Sequence, residues 1–156
     1  MSNDICGYIY PPLDREVENA LSKYISGSKI GISQITREEL YNFPSGFIPP
    51  DGLFYFLIGD RPSYPNATYL IDYNEYDPDT SDIGFPPGAK ERLSILVDTL
   101  NYMFKITNAQ RMVVALTECN QIETIKKINI SELYDVIHAD FEFYQSPPDT
   151  LYEIVF

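Results

Sequence analysis

Six apolar residues, Leu93, Leu96, Val97, Leu100, Met103 and Phe104, fall at offsets 0, 3, 4, 7, 10 and 11 and form one stripe of 3.6-residue period. That spacing predicts a long helix. A shorter helix is expected from about Leu13 to Ile25, where Val17, Leu21, Tyr24 and Ile25 repeat at helical spacing and Gly27 follows as a stop. Thr36 with Glu39 three residues on fits a capping box and opens a turn of helix through Leu40, before Pro44, Pro49 and Pro50 break the chain. Leu53 to Ile58 is an unbroken apolar, aromatic-rich run, too short for a helix, and reads as a strand buried on both faces.

Beyond Pro62 and Pro65, Thr68 to Tyr73 reads as a second strand. Asn74 to Gly88 reads as turns, because Pro78, Pro86 and Pro87 exclude regular structure. Met112 to Leu116 has the composition of a central strand, and Ile122 to Ile128 is read as its hairpin partner, joined through Glu118-Cys119-Asn120-Gln121. Ser131 is the expected cap of a short helix holding Leu133, Val136 and Ile137. Phe141, Phe143, Tyr152, Ile154 and Phe156 read as strand-like pieces interrupted by Pro147-Pro148. The expected fold is α+β: one domain, residues 1–156, with a mixed, mainly antiparallel sheet of about five strands flanked by about three helices.

Composition adds the charge. Twenty-three Asp and Glu stand against eleven Lys and Arg, a net charge of −12, which argues against direct contact with a nucleic-acid backbone. The excess is uneven: residues 51–88 carry seven acids and only Arg61, and residues 131–156 carry six acids and no base. The densest piece is Asp72-Tyr73-Asn74-Glu75-Tyr76-Asp77-Pro78-Asp79-Thr80-Ser81-Asp82, where carboxylates repel one another until something cationic arrives and tyrosines offer contact area at low entropic cost. Asp72, Tyr73, Glu75, Tyr76, Asp77, Asp79 and Asp82, with Asp135, Asp140 and Glu142 from the second acidic zone, are therefore the candidate partner-binding residues. The plainer alternative is a solvated acidic loop.

No motif names a reaction. An EF-hand register starting at Asp77 puts Asp82 where glycine is needed and Gly88 where a bidentate glutamate is needed. Gly84 to Glu91 is one residue short for a phosphate loop, and two prolines remove its amide donors. His138, the only histidine, has Asp135 and Asp140 within reach of orienting it, but no nucleophile elbow accompanies it. No metal or cofactor is expected. Cys6 and Cys119 form no CxxC pair and are read as free thiols, a single bridge being the alternative. The amino terminus lacks the basic and apolar regions of a signal peptide, and the longest apolar run is far too short for a membrane span, so the cytoplasm is the expected compartment and no membrane contact is expected.

The acidic-aromatic run Asp72 to Asp82, the stretch Met112-Val113-Val114-Ala115-Leu116-Thr117-Glu118-Cys119-Asn120-Gln121-Ile122 and the tail Pro147 to Glu153 give the chain a resemblance of type to bacterial immunity proteins of contact-dependent growth inhibition and related polymorphic toxin systems. The resemblance implies stoichiometric inhibition of a basic toxin, often a nuclease, whose cleft an acidic protein occupies in place of nucleic acid. It also implies that a toxin strand or hairpin can extend the sheet of some members. Two other readings stay open: an adaptor for a different cationic partner, and a small hydrolase centred on His138.

Overall fold

The computed structural model describes residues 5–28, 30–59, 70–71, 73, 86, 88–118 and 120–156. Its first element is not the expected helix but a strand, β1 (Ile5–Tyr10), whose Ile5 and Ile9 point to one face and Tyr8 to the other. Helix α1 (Arg15–Gly27) follows, two residues later at each end than the spacing indicates, because Asp14 caps it by accepting the Val17 N–H at 2.8 Å. The Thr36–Glu39 turn forms as expected: the Glu39 carboxylate accepts the Thr36 N–H at 2.9 Å ahead of a 3₁₀ turn, Arg37–Leu40.

Among the described residues, six strands build one sheet. Strands β2 (Ile32–Gln34), β3 (Phe54–Ile58), β4 (Arg111–Leu116), β5 (Thr124–Asn129) and β6 (Thr150–Val155) join β1 in the order β2-β3-β1-β4-β6-β5. Every neighbouring pair is antiparallel except β5 and β6. The mixed, mainly antiparallel sheet is thus as expected, with one more strand. Of the strand anticipated over Thr68–Tyr73, only Leu70, Ile71 and Tyr73 are described; Leu70 and Ile71 lie in a turn with buried side chains.

The three α-helices among the described residues pack on one face of the sheet. Helix α2 (Ala89–Ile106) buries the whole stripe from Leu93 to Phe104 there, beside Leu21 of α1 and Leu133, Ile137 and Phe141 of α3 (Leu133–Tyr144). The opposite face is covered by irregular chain instead: Leu40, Phe43 and Leu53 pack on Tyr8, Tyr55, Val113, Ala115 and Leu151, and the Tyr8 hydroxyl donates to the Phe47 carbonyl at 2.9 Å.

Three expectations fail near the carboxyl end. Strand β5 is no hairpin partner of β4; β6 lies between them, antiparallel to β4 and parallel to β5. A parallel pair needs a crossover of about a dozen residues or more, and α3 supplies it. The second error concerns Phe141 and Phe143. They are helical, since Leu133, Ile137 and Phe141 continue a four-residue spacing, with Phe141 fully buried and Phe143 79% exposed. Nor is Ser131 the cap: Asn129 is, its side-chain oxygen accepting the Ser131 N–H at 2.9 Å before a 3₁₀ turn, Ile130–Glu132, leads into α3. Among the described residues, no helix is long and apolar enough to cross a membrane.

Candidate partner-binding surface

Helix α3 must hide Leu133, Ile137 and Phe141 against the sheet, so the positions turned away from them face water. Those positions are Asp135, Ala139, Glu142 and Phe143, flanked by the half-exposed Tyr134 and Tyr144. Phe143 and Tyr144 meet edge to face at 5.0 Å. Glu132 lies at the head of the helix, where it accepts the Asn129 N–H at 3.0 Å and remains exposed. Carboxylates and large rings are thus exposed along the same helix, in a stretch of sequence that has no Lys or Arg.

Tyr73 is the one described member of the acidic run. Its ring packs on Phe141 at a centroid distance of 5.8 Å and its hydroxyl donates to Glu142 at 2.8 Å. Burial, reinforced by the hydrogen bond to the Glu142 carboxylate, pushes its phenol up to about 12. Asp72, Glu75, Tyr76, Asp77, Asp79 and Asp82 lie outside the described residues. The hydrogen bond of Tyr73 nevertheless brings one residue of the first acidic zone to Glu142 of the second, a link the sequence alone does not show. Lys90 stands 3.8 Å from the same carboxylate, a long and exposed pair worth well under about 1 kcal/mol.

Asp140 does not belong to this surface. It is 9% exposed and points inward, where its two oxygens accept from Lys126 Nζ at 2.6 Å and from the Tyr152 hydroxyl at 2.8 Å. Three residues from Ile137, it shares the buried side of α3, and its charge is met within the fold. Glu153, also in the acidic tail, is met by Arg111 at 2.7 Å, and the Arg111 guanidinium lies over the rings of Tyr8 and Phe47. Of the acidic residues in 131–156, only Glu132, Asp135 and Glu142 are therefore exposed.

His138 sits in the seam between α2 and α3. Its Nε2 is 3.2 Å from Ser94 Oγ, and its ring lies 4.2 Å from that of Tyr134. Ser94 Oγ is also 2.9 Å from the Lys90 carbonyl, and when its one hydrogen goes there the histidine N–H must be the donor to Oγ. A serine nucleophile needs the reverse polarity, with the ring accepting the hydroxyl proton. Nothing in the sequence marks Ser94 as the partner of His138.

Burial, with the Lys90 charge nearby, holds His138 below the ordinary histidine value, against the opposing pull of Asp135 and Asp98. The folded protein then binds fewer protons at this ring than the unfolded chain does. The resulting stabilisation is complete above the unfolded value near 6.5 and is lost as pH falls through the window between that value and the lower folded one. Relative to His138→Gln, the wild type should lose stability on going from pH 8 to pH 5. Urea melts of both proteins across that range check this, and a pH-independent gap between them would contradict it.

Among the described residues, no three or more His, Cys, Asp or Glu side chains are grouped to hold a metal ion. No family model, curated protein or solved structure matches the chain.

Proposed function

We propose that this chain is a binding protein of the immunity type, which neutralises a basic toxin domain, a nuclease, by stoichiometric occupation of its cationic cleft. The observation that carries this reading is the outer face of α3. Asp135 and Glu142, seven residues apart, share one side of the helix, Phe143 follows Glu142, Tyr134 and Tyr144 are exposed elsewhere on α3, and Tyr73 of the acidic run is bonded to Glu142. Carboxylates on such a face present a nuclease with the potential its substrate would present, which accelerates encounter. The aromatic side chains supply the contact area that slows release. The chain's charge of −12 extends the attraction over roughly a Debye length, about 8 Å at physiological salt.

The test starts from proteins of the source cell retained on the immobilised chain and eluted with a salt gradient. For the eluted partner, Asp135→Lys with Glu142→Lys should lower the association rate about tenfold at low salt and flatten its salt dependence. The double reversal Asp77→Lys with Asp79→Lys should act in the same direction. Unchanged rates in both variants would refute the placement. A partner without toxin activity would favour the adaptor reading.

A further inference from the structure

The solvent face of α3 does not end at Tyr134. Between the carboxyl-terminal half of α2 and the Ile130–Leu133 segment runs a groove made of two adjoining cavities of about 360 and 370 Å³ that share Lys105 and Ile130. Each is of a size that accepts a compact apolar group, since ligand pockets begin at about 300 Å³. Ile130 supplies its half-buried apolar wall, over a floor of Val97, Phe104 and Leu133, which are core side chains each 2% exposed. Exposed rings bracket its length: Tyr134 at one end, 52% exposed, and Phe156 at the other, 88% exposed. Apolar surface left open at both ends of a groove loses its contact with water only when something fills it.

The rim sets the charge of the occupant. Asp98 stands on it and forms no ion pair among the described residues, and Asp135 lies close enough that both carboxylates act on His138. Lys105 is the opposing charge on the rim. A second copy of the chain would bring another −12 to the same place and is repelled.

We propose that this groove is the anchor pocket for the basic partner: it takes a large apolar side chain that stands beside a Lys or Arg, with the apolar group against Ile130 and Tyr134 and the cation against Asp98. The proposal rests on the reading of α3 as the partner surface and adds to it the element that selects among basic proteins. Charge draws in any of them; the groove retains those that bring the apolar neighbour.

Two isocharged probes separate these contributions, acetyl-KKLFKK-amide and acetyl-KKSSKK-amide, titrated into the ¹⁵N-labelled full chain. The first should shift the amides of Asn101, Lys105, Ile130 and Ser131 and bind at least fivefold more tightly. The second should shift only the α3 face around Asp135 and Glu142. Asn101→Trp, which fills the groove from the α2 side, should remove the difference between the two probes. Equal affinities with shifts confined to α3 would overturn the groove while leaving the electrostatic reading in place. Absence of shifts with either peptide would overturn both. Concentration-dependent shifts of the groove amides without peptide would identify a second copy as the occupant and also overturn the proposal.

Discussion

Asp140→Ala should cost about 3 kcal/mol of stability, the larger of the two effects argued next. Asp140 is the acceptor for two donors, Lys126 Nζ and the Tyr152 hydroxyl, the latter on a side chain that is 0% exposed. Alanine strands the buried phenol, at a cost of about 1–3 kcal/mol. It also breaks a largely buried ion pair, which costs about 3–5 kcal/mol when neither partner can reach water. Lys126 can reach water, because its side chain is 40% exposed, and this keeps the sum below the upper limit. Tyr152→Phe should cost only about 1 kcal/mol, since Asp140 then keeps its lysine. The measurement is the urea midpoint at unchanged slope; a loss below about 1 kcal/mol for Asp140→Ala would contradict the network. The same geometry predicts that Asp140→Asn leaves the association rate with a basic partner unchanged.

Gly7→Ala should destabilise the protein by about 2–3 kcal/mol, although it adds one methyl group. Gly7 is in the middle of β1, itself between β3 and β4, opposite Phe56 on one side and Val114 on the other. A Cβ there would collide with the Val113 carbonyl oxygen and come within 2.7 Å of Phe56 Cζ. The carbonyl belongs to sheet backbone and the ring is fully buried, so neither yields without disturbing the ladder. Gly27→Ala is the internal control. It lies in the last turn of α1 with no neighbour within 4 Å, where alanine should be neutral or stabilising by up to about 1 kcal/mol. Equal thermal midpoints for the two variants would contradict the crowding at Gly7.

These two residues also mark where sequence reading stops. The α2 stripe, the Leu53–Ile58 run and the Met112–Leu116 strand were legible because each buries a periodic or continuous apolar set, which is a local property. Strand β1 was not, since Cys6 and Gly7 dilute its pattern and its burial depends on two distant partners. The parallel pairing of β5 with β6 depends on a crossover that no local pattern specifies. Composition alone makes Asp140 a surface charge; its position three residues beyond Ile137 is the sign that it turns inward. The link from Tyr73 to Glu142 spans 69 residues and leaves no periodic trace.

The order of the strands has a consequence for biogenesis. Cys6 pairs with Ala115, 109 residues further along, and β4 in turn needs β6. At about 5–20 residues per second of translation, the opening strand waits roughly 5–20 s for the neighbour that completes its hydrogen bonding. During that interval Ile5, Tyr8 and Ile9 have no finished core to enter, so the nascent chain should be a client for chaperones that shield apolar segments at the ribosome.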